Sequence, residues 1–198
     1  MMLITGMPRS GTSFMQTVFS HYGHLMDPPL FTRMNFSPGE IYNLSEPAVL
    51  GRLCHTPGGK QKFLEAMKLI ESYWRSPDEL IIKLPQMCFY PAVCKEFTKI
   101  IVCVSPVDER FLKSAKDHRI GGWFRANPKF IKNLARRDLH GLGTAWSDAA
   151  HFLHNADPGR SDLMVFGSKN DFDRIMSVYL DQKIIDEAWA THWRGSRF

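Results

Sequence analysis

Met2-Leu3-Ile4-Thr5-Gly6-Met7-Pro8-Arg9-Ser10-Gly11-Thr12-Ser13 is the stretch whose reading decides the fold. Residues 2–5 are a short apolar run, long enough for a buried strand. Residues 6–11 are dense in turn formers. From Thr12 onward Phe14, Met15, Val18, Phe19 and Tyr22 recur at helical spacing on one face. Strand, glycine loop and helix in that order make a cradle for an anion. The loop amides and the helix N-terminus converge on one spot, and both favour negative charge there. Gly6 and Gly11 allow the backbone to approach that anion with no side chain between.

The loop that binds nucleoside triphosphates reads G-x-x-x-x-G-K-[ST]. Gly6, Gly11 and Ser13 fit it, Thr12 stands at the lysine position, and Arg9 brings a cation from inside the loop. A guanidinium there can fork onto phosphate or sulfate oxygens. Pro8-Arg9-Ser10-Gly11-Thr12-Ser13 resembles the P-[KR]-S-G-T-[TS] loop of the sulfotransferases. The resemblance implies a P-loop NTPase-like fold and a donor, 3′-phosphoadenosine 5′-phosphosulfate (PAPS). Pro8, Arg9, Ser10, Gly11, Thr12 and Ser13 would hold its 5′-phosphosulfate. The acceptor would be a hydroxyl or amine on a small molecule or carbohydrate.

Further apolar runs place strands at 79–85, Lys99–Val104 and 162–166. The β-branched run in the second of these predicts burial on both faces. Helical spacing predicts helices at 45–54, 60–75, 89–97, about 127–155, 171–180 and 182–193. On the long one the inward face is Leu142, Ala145, Trp146, Ala149, Phe152 and Leu153. Strands alternating with helices predict an α/β fold: three layers, α/β/α, around a mostly parallel central sheet. The length of 198 residues suits a single domain, 1–198.

Lys83 closes the second predicted strand, and ligands of open parallel sheets sit beyond the carboxyl ends of their strands. Ile82-Lys83-Leu84-Pro85 resembles the family's K-x-P, which implies that Lys83 steadies the sulfuryl group and the bridging oxygen as it leaves. The family's histidine base has no counterpart here. Glu40 and Asp27, in the proline-rich segment 24–43, are candidate bases for an acceptor hydroxyl. After the third strand the family pattern is R-[DN]-P-x-D, with a serine eight residues beyond the arginine; together the arginine and serine hold the 3′-phosphate. Pro106 and Asp108 align with it, but Val104 then occupies the arginine position. Arg110 and Ser114 are the nearest candidates for that phosphate, with Lys113 and Lys116 close by. His192-Trp193-Arg194-Gly195 is similar to the family's C-terminal R-K-G turn.

A formal charge of +5 suits an anionic ligand, and a solvated basic surface equally. No apolar run approaches the roughly 20 residues of a membrane span. Cys54, Cys88, Cys94 and Cys103 show no metal-ligand spacing and read as reduced, and with a strand beginning almost at Met1 the reading is of a cytoplasmic protein without a leader. No metal site and no nucleic-acid partner is expected. Two alternatives stand beside the sulfotransferase reading. One is a phosphate-loop kinase, which requires magnesium held by Ser13 and an acidic strand end. The other is a nucleotide-binding module whose catalytic groups have decayed.

Overall fold

A computed structural model of the chain describes residues 1–7, 9–23, 61, 80–117 and 138–193. Among these residues it is an α/β structure built on four strands: β1 (Met2–Gly6), β2 (Ile81–Lys83), β3 (Lys99–Val104) and β4 (Ser161–Val165). All pairings are parallel, and the order across the sheet is β2-β1-β3-β4. The helices are α1 (Thr12–His21), α2 (Pro91–Cys94), α3 (Glu109–Asp117), α4 (Leu139–Ala156), α5 (Lys169–Met176) and α6 (Gln182–His192).

Side chains alternate across the sheet, and each face has its own helical cover. Leu3, Ile82, Ile100, Val102 and Val104 pack with Trp146, Ala150 and Leu153 of α4 and with Phe111 of α3. Met2, Ile4, Ile81, Ile101 and Cys103 pack with Met15, Val18 and Phe19 of α1, Phe172 and Ile175 of α5, and Ile185 of α6. Burial of both faces explains why β3 reads as an unbroken apolar run from Ile100 to Val104. Leu3 and Ile4 have no exposed surface, and such burial contributes about 1.5–3 kcal/mol per side chain. The described helices therefore lie on both sides of the sheet, consistent with three layers.

Three expectations need correcting. Residues 89–97 do not form one helix. A 3-10 segment, Pro85–Phe89, is followed by the single turn of α2. Pro91 lacks an amide and disfavours helical backbone in the residue before it, and Tyr90 accordingly sits at φ −126° and ψ 62°. On α4 Phe152 faces solvent at 64% exposure, and Ala150 takes the inward place, giving a stripe of Leu142, Trp146, Ala150 and Leu153. The helix expected at 171–180 begins earlier, where Ser168 accepts a hydrogen bond from the Asp171 amide, and ends at Met176.

Helices expected at 45–54 and 60–75, and the first part of the one beginning near 127, lie outside the described residues. Among the described residues no helix is long and apolar enough to cross a membrane. Cys88, Cys94 and Cys103 are free thiols inside the core, and burial raises the pKa of each, that of Cys94 to about 12.

Candidate functional site

The loop between β1 and α1 stands at the carboxyl edge of the sheet. It leaves β1 through Gly6 at φ 119°, where a Cβ would lie 2.0 Å from the Cys103 carbonyl oxygen. The contact Gly6 permits is thus with β3 rather than with the anion the sequence suggested. The Met7 amide donates to the same carbonyl at 2.9 Å, fixing the loop to the neighbouring strand. The fully buried Ser10 hydroxyl donates to the Met7 carbonyl at 2.5 Å, so this side chain ties the loop to itself.

Arg9 has φ 64°, the one non-glycine residue in the left-handed region among those described. Such backbone costs about 1–2 kcal/mol in an L-residue with a Cβ. An unfavourable conformation held by its surroundings is a recurrent feature of ligand clamps. Partial burial lowers the pKa of Arg9 from its ordinary value. Gly11, at φ 93°, begins α1, and no side chain caps that helix end.

Lys83 completes the set. β2 runs parallel to β1 with Lys83 in register with Ile4, so its side chain leaves the sheet beside the loop. Its Nζ donates to Ser13 Oγ at 3.2 Å. A lysine from the neighbouring strand thus reaches the hydroxyl that the sequence reading set apart.

Arg9, Gly11, Thr12 and Ser13 share a cleft of about 350 Å³ with Phe14, Thr17, Phe166, His192 and Trp193. Trp193 stacks on Trp189, with centroids 4.7 Å apart and planes at 12°, and meets Phe14 and Phe166 at 5.1 and 4.8 Å. Its ring lies 3.9 Å from where a Cβ on Gly11 would stand. The cleft therefore has a cationic loop on one side and an aromatic wall on the other.

Arg110 extends the wall. Its guanidinium lies 4.1 Å from the centroid of Phe166, within cation–π range. It also donates to Ser105 Oγ at 3.4 Å and pairs loosely with Asp108 at 3.7 Å. Asp108 caps α3 by accepting from the Phe111 amide. Lys113 and Lys116, the other candidate cations, line a separate hollow with Asp138 and His140.

The structure thus gathers Arg9, Ser10, Gly11, Thr12, Ser13 and Lys83 at one edge, with Arg110 beside them through Phe166. Ser114 lies on α3, but its side chain, like Pro8, Asp27 and Glu40, falls outside the described residues. His192 and Trp193, the start of the segment similar to the family's C-terminal R-K-G turn, line this cleft, whereas Phe166 was not a site candidate in the sequence. A further signal was the four-residue spacing of Trp189 and Trp193, which carries two indoles to one helix face. Compared with models of protein families, with curated proteins and with solved structures, the chain has no match.

Proposed function

We propose that this protein is a sulfotransferase of P-loop-like fold that moves a sulfuryl group from PAPS to a hydroxyl or amine. The observation that carries this reading is the contact of Lys83 Nζ with Ser13 Oγ beside the left-handed Arg9. It supports a reaction centre with one cation inside the loop and a second delivered from β2. In the proposed mechanism the loop and the N-terminus of α1 bind the 5′-phosphosulfate. The Arg9 guanidinium orients its oxygens through charge-assisted hydrogen bonds. Lys83 stabilises the charge that develops on the bridging oxygen as the sulfur–oxygen bond breaks. Catalysis is then positioning and electrostatics, as in phosphoryl transfer. The aromatic wall suits the flat base of the donor.

The kinase alternative draws less support from the same geometry. β3 passes into Ser105-Pro106-Val107, and the first carboxylate after it, Asp108, is engaged at the start of α3. The discriminating experiment is thermal unfolding with ligands, since a binder of the native state raises the melting temperature. Adenosine 3′,5′-bisphosphate should stabilise the protein more than ATP with magnesium. The reverse order would replace the sulfotransferase reading with a kinase, stabilisation by the bisphosphate without turnover of PAPS would favour a decayed module, and no shift with either would overturn all three.

A further inference from the structure

His192 has no part in the mechanism above, yet it lines the same cleft as Arg9, Thr12 and Ser13. It is half-buried in the last turn of α6. Its ring centroid lies 5.4 Å from that of His21, in the last turn of α1, and 5.6 Å from that of Tyr22. The carboxyl ends of two helices thus bring two imidazoles together at the flank of an oxyanion cradle.

The groups facing His192 decide when it carries a proton. The negative end of α6 favours the imidazolium. Arg9, which lines the same cleft, and His21, whose ring lies beside it, oppose it whenever they are charged, because like charges disfavour a second cation. An oxyanion seated on the loop offsets Arg9 and supplies an opposite charge, so it shifts the balance toward the imidazolium.

We propose that the cleft takes up a proton together with its anion, and that His192 is the group that accepts it. The inference rests on reading the loop as an oxyanion site, but not on the identity of the transferred group. It makes affinity for an anion whose own charge is fixed depend on pH. The sign follows from linkage: a group whose pKa is raised by the ligand strengthens binding as pH falls through its range.

Inorganic sulfate is the suitable probe, since it stays doubly charged from about pH 5.5 to 8.5, a window that brackets the ordinary histidine value of about 6.5. Sulfate titrations of the full chain, followed by amide resonances, would give dissociation constants at both ends of that window. In the wild type binding should be about fivefold tighter, or more, at the acidic end. His192→Gln should flatten the dependence at the weaker level. His192→Lys, which keeps a charge throughout, should flatten it at the tighter level, and this separates the charge from any structural effect of substitution. A slope that survives in His192→Gln overturns the assignment while leaving the loop site standing. Arg9→Ala should weaken sulfate binding at both pH values. Unchanged affinity in that variant would overturn the loop reading, and absence of sulfate binding by the wild type would overturn both.

Discussion

Lys83 and Ser13, separated by 70 positions in the chain, are joined by a 3.2 Å hydrogen bond from Nζ to Oγ. Parallel pairing of β2 with β1 brings them together, since it delivers the end of β2 to the start of the loop. Under the proposed mechanism the lysine acts mainly on charge that develops during transfer. Lys83→Ala should therefore cut PAPS turnover by about 10²–10³-fold, the scale seen when one transition-state donor is lost. Affinity for adenosine 3′,5′-bisphosphate should fall by less than about tenfold, about 1.4 kcal/mol. Turnover assays and calorimetric titration of the same variant check both numbers, and an equal loss in the two would place Lys83 in ground-state binding.

Under the proposed function Arg9 couples a binding role to a backbone cost, and two substitutions separate them. Arg9→Ala should weaken binding of the 5′-phosphate end by about 1.5–3 kcal/mol, the range of a hydrogen bond to a charged group. Arg9→Gly should lose the same affinity but be more stable than Arg9→Ala by about 1 kcal/mol, because glycine adopts φ 64° without the Cβ clash. Thermal unfolding and titration of the pair provide the test. Equal stability would show that the left-handed backbone is not a cost to the fold.

Gly6 and Gly11 should respond very differently to the same change. A Cβ on Gly6 would meet the Cys103 carbonyl at 2.0 Å, and that carbonyl belongs to β3. Gly6→Ala should therefore destabilise by about 3 kcal/mol or more, combining backbone strain with a displaced strand. At Gly11 the nearest atoms, from Phe166 and Trp193, are 3.9 Å away, so φ is the main obstacle and the loss should be about 1–2 kcal/mol. Denaturant unfolding of both variants compares them directly.

Much of the architecture was legible in the sequence because burial on both faces leaves an apolar run with no polar interruption. Ile100 through Val104 reads that way, and it is a central strand. The loop was legible from its glycines and its basic residue. Spatial order was not, since nothing in a run of valine and isoleucine says which neighbour it pairs with. The break at Tyr90 could have been read from Pro91, and the start of α5 from Ser168 and Asp171 three residues apart. The left-handed backbone of Arg9 and the packing of Phe166 against Trp193 beside the loop were beyond reach. Both depend on how helices pack against an edge assembled from distant segments.

The strand end that lacks the expected arginine sets the fourth prediction. β3 closes on Val104 and Ser105, and the cation beside them is Arg110, shared between Ser105, Asp108 and the face of Phe166. A guanidinium whose charge is partly offset by a carboxylate gives weak selection for a second phosphate. Adenosine 3′,5′-bisphosphate should bind less than about tenfold tighter than adenosine 5′-phosphate, a difference under about 1.4 kcal/mol. Arg110→Ala should remove what preference there is. Calorimetric titration of both nucleotides into both proteins decides it, and a preference of about a hundredfold that persists in Arg110→Ala would point to a different 3′-phosphate site.

The inner position of β1 also shapes how the chain is made. Its two hydrogen-bonding edges are filled by β2 and β3, whose partners for Met2 are Ile81 and Lys99. At synthesis rates of about 5–20 residues per second, Met2 precedes Lys99 by on the order of 5–20 s. Until β2 is made this apolar segment carries two unpaired edges, and until β3 is made it carries one, the condition that invites pairing with other chains. The pairing is also long-range in sequence, which slows folding once synthesis is complete. The strand that leads into the Gly6–Gly11 loop thus depends on protection at the ribosome.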